Sequence, residues 1–262
     1  MAKVIACANQ KGGVGKTTTS VNLAAALQQA GHPTLLIDMD PQGNATMGSG
    51  VEKHQLSATI GDALLGETSL STLLIKTEPM HYALLPANRE LTRAEILLLD
   101  QENREHRLEK IITQVANDFA YIIIDCPPSL NMLTINSLVA ADSVLIPMQC
   151  EYYSLEGLVD LQDTIRRISE AVNTRLEIEG ILRTMYDGRS RLTHEVSAQL
   201  EKHFGDKVYR TVIPRNIRVA EAPSYGMPVL IYDKKSQGAA AYQALAGEIL
   251  RKHQQSLVEE CS

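Results

Sequence analysis

Residues 3–20 read KVIACANQKGGVGKTTTS and contain an apolar segment, a glycine-rich turn and a helix start, in that order. The apolar segment, residues 4–8, predicts a buried strand. Apolar residues at helical spacing after Lys16 predict a helix. A glycine-rich turn between a strand and a helix is the architecture of a phosphate-binding loop. An α/β fold built outward from this first strand is therefore expected.

Glycines at positions 12, 13 and 15 remove the side chains from this turn. Successive backbone N–H groups can then point at phosphate oxygens, helped by the positive end of the following helix. In such a loop the lysine, here Lys16, reaches the β and γ phosphates, and the following hydroxyl, here Thr17, coordinates Mg²⁺.

The loop departs from the usual pattern at two positions. Gln10 stands where the pattern has glycine, and a second lysine, Lys11, lies beside the glycines. The alternative is a glycine-rich turn that binds nothing. The strand, loop and helix in the required order favour the phosphate-binding interpretation.

Length and composition describe an ordinary globular chain of 262 residues, 44% hydrophobic and 21% charged. An α/β chain of this length can bury its core as one domain, so residues 1–262 are expected to form a single domain. No run of about 18 apolar residues could span a bilayer. The first ten residues form the predicted strand and leave no room for a cleaved signal, so a cytoplasmic protein is expected.

Four cysteines, Cys7, Cys126, Cys150 and Cys261, are spread along the chain. They show no CxxC spacing that would indicate a zinc site or a redox pair. Cys7 and Cys126 lie in or beside apolar segments, so buried thiols are expected there.

Charge is distributed unevenly along the chain. Residues 1–174 carry 12 Lys and Arg against 20 Asp and Glu, whereas residues 175–262 carry 13 against 11. Within residues 183–218 the count is 8 against 4. The net charge of −6 argues against a generally basic nucleic-acid binder. A surface for a polyanion should therefore be sought in the C-terminal third.

Acidic residues follow three more apolar segments. Residues 34–37 predict a buried parallel strand that ends at Asp38 and Asp40, at the edge where α/β sheets bind ligands. The alternative is that these two aspartates only cap a turn. Residues 121–124 predict another strand ending in Asp125, which would lie beside the Mg²⁺ shell. A further strand, residues 143–147, leads to Glu151 at the same edge.

Hydrophobic periodicity and turn residues predict the remaining elements. Helices are expected near residues 59–65, 89–99, 102–115, 155–172, 192–204 and 237–253, and extended segments near 81–85, 176–184 and 208–213. Residues 41–44 are expected to form a loop. No internal repeat or low-complexity linker is visible.

Four motifs together resemble the ParA/Soj family of chromosome and plasmid partitioning ATPases. They are KGGVGKTT at 11–18, DMDPQGNAT at 38–46, YIIIDCPPSL at 121–130 and PRN at 214–216. The resemblance covers essentially the whole chain. It implies a doubly wound, mostly parallel α/β sheet of the P-loop class with a deviant Walker A motif. The chain looks like the short form, without an N-terminal helix-turn-helix domain.

The resemblance also implies the residues of an ATP site. Catalytic roles fall to Lys11, Lys16 and Asp40, with Lys11 reaching the partner's phosphates across a nucleotide-sandwich homodimer. Mg²⁺ would be held by Thr17, with Asp125 in the second shell and Asp40 as a further candidate. The ATP-binding residues would be Lys11, Gly12, Gly13, Val14, Gly15, Lys16, Thr17, Thr18, Pro214, Asn216 and Glu151.

ATP-bound dimers of the family resemble nonspecific binders of double-stranded DNA, which agrees with the basic C-terminal third. The candidate phosphate contacts are Arg189 and Arg218, followed by Arg191, Lys202, Lys234 and Lys235. The resemblance further implies slow ATP hydrolysis stimulated by a ParB/Spo0J-like centromere-binding protein, and association with the nucleoid.

Two other functions remain open at this point. A MinD-type ATPase would cycle on a membrane through an amphipathic C-terminal helix, but residues 251–260 are polar, end in acids and lack Phe and Trp. Stable membrane association is therefore not expected. An electron-transfer ATPase like the nitrogenase iron protein would need cysteines for a bridging cluster, for which Cys126 and Cys150 are the candidates.

Overall fold

Eight strands form one mostly parallel sheet. The computed structural model describes residues 2–260, with side chains described through residue 255. The strands are β1 (Lys3–Cys7), β2 (Thr34–Asp38), β3 (Ile75–Lys76), β4 (Ala83–Leu85), β5 (Tyr121–Asp125), β6 (Ser143–Gln149), β7 (Glu177–Tyr186) and β8 (Val208–Pro214). Their order across the sheet is β3-β4-β2-β5-β1-β6-β7-β8. The β3–β4 pair is antiparallel, and the other pairs are parallel.

Helices cover both faces of this sheet. They are α1 (Lys16–Gln29), α2 (Asn44–Gly48), α3 (Ile60–Leu65), α4 (Leu70–Leu73), α5 (Leu91–Leu98), α6 (Arg107–Val115), α7 (Met132–Ala140), α8 (Ser154–Ala171), α9 (Arg191–Phe204), α10 (Ile217–Glu221), α11 (Val229–Tyr232) and α12 (Gln237–Glu260). Short 3₁₀ turns lie at Lys53–Gln55, Arg104–His106, Gly205–Lys207 and Ala222–Tyr225.

The core is divided by the sheet into two layers. Along β5, Ile122 and Ile124 face one layer, whereas Ile123 faces the other layer beneath α1 and α12. Side chains alternate between the faces of a strand, so a strand covered on both faces needs apolar residues at consecutive positions. This explains the run of three isoleucines in a strand whose residues are all buried.

The order of the strands along the sheet switches direction at β1, although the strands on either side of it are parallel to it. β5 pairs with one side of β1 and β6 with the other, so the carboxyl end of β1 opens into the crevice between them. Ligands of doubly wound sheets bind in such a crevice. The loop from β1 to α1 lies there, as the sequence predicts.

The predicted α/β fold and its main strands are confirmed, and the differences are local. Residues 44–48 form a short helix, α2, which was not predicted and which begins at the last residue of the expected loop, 41–44. The helix expected near 102–115 begins with a 3₁₀ turn, and α6 starts at Arg107. The sequence interpretation did not include α7, in which seven of the nine residues are buried. Such a helix shows no polar face and hence no amphipathic pattern.

Cys7, Cys126 and Cys150 are free and buried, as expected for Cys7 and Cys126. Cys261 and the side chains of residues 256–260, on which part of the tail argument rests, lie outside the described residues. Within residues 2–260, no helix combines the length and apolar character needed to cross a bilayer.

A buried carboxylate ties α12 to the edge of the sheet opposite the phosphate-binding loop. Glu179 on β7 is 2% exposed. It accepts hydrogen bonds from Ser143 Oγ at 2.6 Å and Tyr209 OH at 3.0 Å, and His253 Nε2 lies 3.1 Å from both of its oxygens. Burial alone would raise the pKa of Glu179, but its bond to His253, the charge of that ring, the Ser143 hydroxyl and the Lys252 ammonium together lower it to about 2.

This network predicts a pH dependence of stability. Glu179 has a lower pKa in the folded chain than in the unfolded chain, so its stabilisation is present above the ordinary Glu pKa of 4.5 and is lost as pH falls toward about 2. We expect wild type to lose about 2 kcal/mol of unfolding free energy between pH 6 and pH 3 that Glu179→Gln does not lose. Denaturant unfolding at several pH values measures this difference.

The matched control is Glu195→Gln, since Glu195 forms an exposed ion pair with Arg191 and exposed pairs contribute little. This control should follow the wild-type pH profile. Parallel pH profiles for wild type and Glu179→Gln would show that the network does not carry the acid sensitivity.

Candidate nucleotide-binding site

The loop between β1 and α1 has the backbone conformation of a phosphate-binding loop. Gly13 and Gly15 have φ values of 74° and 89°, in a region of backbone conformation that residues with a side chain rarely adopt. Helix α1 begins directly after Gly15, and Thr19 N–H donates to the Gly15 carbonyl at 2.9 Å. The N–H groups at the start of α1 are therefore directed toward the crevice.

Two lysines lie on this loop in different settings. Lys16 is 7% exposed, and its Nζ donates to the Lys11 carbonyl at 3.3 Å, so it curls back along the loop. Lys11 is partly exposed, and its Nζ lies 2.6 Å from Glu151 Oε2 and 3.4 Å from Ser154 Oγ. One ammonium group thus points into the loop, whereas the other lies on its outer surface.

Neighbouring strands hold the loop in place. Thr184 Oγ1 at the end of β7 donates to the Val14 carbonyl at 2.7 Å. Gln149 Nε2 at the end of β6 donates to the Gly13 carbonyl at 3.1 Å. Sequence reasoning missed Thr184 as a support of this loop. The available signal was a hydroxyl at the carboxyl end of a predicted strand, which does not reveal the neighbour it will contact.

Asp125 lies at the base of the crevice and is fully buried. Its Oδ1 accepts a hydrogen bond from Ser20 Oγ at 2.9 Å, whereas its buried Oδ2 has no hydrogen-bond partner within the described structure. Burial raises the pKa of Asp125, and the negative charge of Asp38 adds to this rise, against the hydroxyls of Thr17 and Ser20. An unpaired buried carboxylate oxygen is costly. The position therefore suits a nearby cation such as Mg²⁺ with its water shell.

The two aspartates after β2 differ in their surroundings. Asp38 is fully buried, and its Oδ2 accepts from Thr46 N at 2.8 Å and Thr46 Oγ1 at 2.7 Å, which fixes α2. Its Oδ1 accepts from Asp40 N at 3.1 Å. Asp40 is 8% exposed, and its Oδ1 accepts from Gln42 N at 2.9 Å. Both were predicted to enter the crevice, but Asp38 is occupied in holding the segment that carries Asp40.

The remaining predicted ATP-binding residues lie at the same edge of the sheet. Glu151 follows the end of β6 and contacts Lys11, while Pro214 ends β8. Asn216 caps the start of α10, where its Oδ1 accepts a hydrogen bond from Val219 N at 3.2 Å. Thr17 and Thr18 occupy the first turn of α1, and Gly12 is exposed in the loop.

Most of the predicted DNA-contact residues also lie near this edge. Arg189 follows β7 and pairs with Asp187 at 3.0 Å, and Arg191 pairs with Glu195 at 2.7 Å. Arg218 on α10 pairs with Glu221 at 2.9 Å and Asp233 at 3.4 Å. The exposed Lys234 and Lys235 directly follow Asp233. Lys202 is not part of this group, since it lies about 17 Å from Arg191 along α9.

Comparisons with known proteins agree with this geometry. A family model described as an AAA domain matches residues 2–178. The sporulation initiation inhibitor protein Soj of Bacillus subtilis is 50% identical over 249 residues, which are 95% of this chain and 98% of that protein. The chromosome partitioning protein ParA of Myxococcus xanthus is 48% identical over 252 residues, 96% of this chain and 89% of that protein. The chain belongs to the ParA/Soj family of partitioning ATPases. As a ParA/Soj ATPase it is an ATP hydrolase of the P-loop class.

A solved structure shares the whole fold. Cobyrinic acid a,c-diamide synthase from Mycobacterium smegmatis, with a bound ATP analogue and magnesium, superposes with a TM-score of 0.86 at 36% identity. The match covers 98% of this chain and 97% of that chain. The shared fold therefore extends beyond residues 2–178, the part of the chain that the family model matches.

Proposed function

We propose that the protein is a DNA-partitioning switch in which ATP binding assembles a homodimer that binds DNA nonspecifically. ATP with Mg²⁺ is its nucleotide, and hydrolysis to ADP and phosphate ends the bound state. The observation that carries this proposal is the convergence of the glycine loop, Lys16, Asp40 and Asp125 at the carboxyl ends of adjacent strands. The names of the relatives support a role in partitioning.

In this proposal the loop from Lys11 to Thr18 binds the phosphates. The backbone N–H groups of Gly12, Gly13, Val14 and Gly15 surround them, and Lys16 would turn from the Lys11 carbonyl to a phosphate oxygen. The hydroxyl of Thr17 would hold Mg²⁺, with Asp125 contacting its water shell. When bound, Mg²⁺ neutralises phosphate charge. Pro214 and Asn216 would flank the adenine.

Lys11 is the residue proposed to act on the partner subunit. Its side chain lies on the loop surface beside Glu151, and an exposed ion pair of this kind is readily exchanged for another partner. A cation supplied from a second subunit stabilises charge that develops on the transferring phosphoryl group. Hydrolysis would consequently be slow until two subunits meet, and Glu151 would then face the ribose or the partner.

Asp40 is proposed to position the attacking water. It has one backbone hydrogen bond to Gln42 on Oδ1, and it lies on a segment whose shape is fixed by Asp38 rather than by Asp40 itself. Its carboxylate can therefore respond to the γ-phosphate without disrupting α2. A ParB/Spo0J-like partner is proposed to stimulate this step on the nucleoid.

DNA contact is proposed for the basic residues at the end of the sheet that carries the nucleotide site. Dimerisation would double this surface, and binding through phosphates needs no base-reading element. Exchanging an intrachain acid for a DNA phosphate keeps each arginine paired, as Arg189 with Asp187 and Arg218 with Glu221 illustrate. Arg189, Arg191 and Arg218, with Lys234 and Lys235, are the first group to test, and Lys202 is tested separately.

The test is duplex DNA binding by fluorescence anisotropy with ATP, with ADP and without nucleotide, over a series of salt concentrations. Wild type should bind DNA tightly with ATP, and only weakly with ADP or without nucleotide. Arg189→Glu should weaken that binding about tenfold and reduce the slope of log K against log[salt] by about 1 per subunit.

Arg166→Glu is the matched control, since Arg166 is also exposed and pairs with a nearby acid, Asp163. It should retain the wild-type affinity and salt slope. Equal DNA binding by wild type in all three nucleotide states would refute the proposed switch.

A further inference from the structure

Two glycines bring distant parts of the chain into direct backbone contact. Gly50, with φ of 81°, follows α2, and Gly226, with φ of 62°, follows the 3₁₀ turn Ala222–Tyr225. A Cβ on Gly226 would lie 2.9 Å from Gly50 Cα and 3.3 Å from the Met47 carbonyl oxygen. A Cβ on Gly50 would lie 3.0 Å from the Gly226 carbonyl oxygen. A hydrogen atom is thus the largest side chain that fits at Gly226 without displacing one of the two backbones.

On one side of this contact, α2 is bound to the Asp40 segment. Asp38 holds Thr46 through two hydrogen bonds and the Asp40 N–H through a third. Ser49 Oγ donates to the Ala45 carbonyl at 2.7 Å and accepts from the buried Tyr82 OH at 2.7 Å. Residues 38–50 therefore form a connected unit, so a displacement at Asp40 reaches Gly50.

On the other side, the turn before Gly226 is bound to the basic surface. Arg218 bonds to Glu221 and Asp233, and Tyr232 OH donates to Glu221 Oε2 at 3.1 Å. The rings of Tyr225 and Tyr232 lie 4.9 Å apart. Residues 217–235, which carry Arg218, Lys234 and Lys235, are thereby connected to the turn.

A second support holds the same segment to the phosphate-binding helix. Val229 N at the start of α11 donates to Asn22 Oδ1 at 2.7 Å, and Asn22 Nδ2 donates to the Thr18 carbonyl at 2.8 Å. The segment 217–235 therefore rests on α1 at one point and on the end of the Asp40 segment at another. Movement of the Asp40 segment relative to α1 would tilt residues 217–235, because packed backbone transmits displacement.

We propose that the Gly50–Gly226 contact transmits the state of the γ-phosphate from the Asp40 segment to the surface formed by residues 217–235. This inference rests on the proposed function, since it explains how ATP would change the arrangement of residues that bind DNA. The contact lies outside the nucleotide site and outside the basic side chains themselves. A substitution at the Gly50–Gly226 contact should therefore uncouple the nucleotide site from the basic surface without removing the residues of either one.

The test compares Gly226→Ala with Gly66→Ala. Gly66 has φ of 78°, and a Cβ added there would meet nothing within 4 Å. Both substitutions therefore carry similar backbone strain, but Gly226→Ala also forces the two backbones apart. Hydrogen exchange of residues 217–235, measured with ATP and with ADP in the absence of DNA, reports the coupling directly.

In wild type and Gly66→Ala, exchange of this segment should differ between ATP and ADP. In Gly226→Ala, which should still bind ATP, the difference should disappear, and the ratio of DNA affinities with ATP and ADP should fall about tenfold. Persistence of the wild-type exchange difference in folded, ATP-binding Gly226→Ala would overturn the inference.

Gly50→Ala provides the second variant, because its Cβ would meet a carbonyl oxygen at the longer distance of 3.0 Å. If Gly226→Ala fails to fold, the same exchange measurement on Gly50→Ala tests the inference. Loss of ATP binding together with the exchange difference in both variants would show a purely structural contact, and the inference would be wrong. Equal DNA binding by wild type with ATP and ADP would instead count against the proposed function, since the exchange measurement uses no DNA.

Discussion

Lys16→Ala should weaken ATP binding about 100-fold, because the variant would lose the charge-assisted hydrogen bond that we propose between Lys16 and a phosphate in a partly desolvated loop. Lys16 is 7% exposed, and its ammonium group bonds to the loop's own Lys11 carbonyl. It is therefore already within the loop. Titration with a fluorescent ATP analogue in the presence of Mg²⁺ measures the loss.

Lys76→Ala is the matched control for this variant, since Lys76 is exposed on the edge strand β3, away from the crevice. It should bind ATP like wild type. Circular dichroism and thermal unfolding establish that both variants are folded. Unchanged ATP affinity in folded Lys16→Ala would place the nucleotide outside this loop.

Asp40→Ala should reduce ATP hydrolysis about 100-fold or more while leaving ATP binding intact, because the role proposed for Asp40, positioning the attacking water, affects the reaction step. The fold should tolerate the change. Asp38 fixes α2 through Thr46, whereas the Asp40 side chain accepts from Gln42 N–H in its own loop. Phosphate release under saturating ATP measures the effect.

Asp160→Ala on the exposed face of α8 is the control for Asp40→Ala and should hydrolyse ATP at the wild-type rate. A second measurement, ATP affinity, separates the two possible defects. Hydrolysis near the wild-type rate in Asp40→Ala would show that Asp40 has no role in the reaction step. Loss of ATP affinity instead would make it a binding residue.

Local patterns in the sequence were sufficient for the strands that build the crevice. β1, β2 and β5 are short apolar runs followed by a glycine loop or an aspartate, and such runs need no knowledge of their neighbours. The sequence also indicated different roles for Lys11 and Lys16. The structure places the Lys11 ammonium group on the surface of the loop and the Lys16 ammonium group in its interior.

Contacts between distant residues could not be predicted in this way. Thr184 supports a loop 170 positions earlier in the chain, and a single sequence holds no record of that pairing. Asp38 and Asp40 are two residues apart and look alike, yet only the position of Thr46 shows that Asp38 is the one committed to α2. The buried helix α7 escaped because it lacks a polar face.

The basic residues show the same limit. The distribution of charge along the sequence placed a basic surface in the C-terminal third. It could not show that Arg189, Arg191 and Arg218 each pair with an acid of their own chain. Nor could it separate Lys202, at the far end of α9, from the others. Which acid each arginine pairs with is a property of the three-dimensional arrangement.

Assembly of two subunits around this site by ATP, and not by ADP, is the step on which the proposed switch depends. The molar mass of Asp40→Ala in solution, measured by light scattering with Mg²⁺ and either ATP or ADP, tests it without interference from hydrolysis. We expect a dimer with ATP and a monomer with ADP. A variant that binds ATP and yet remains a monomer would contradict the proposed switch.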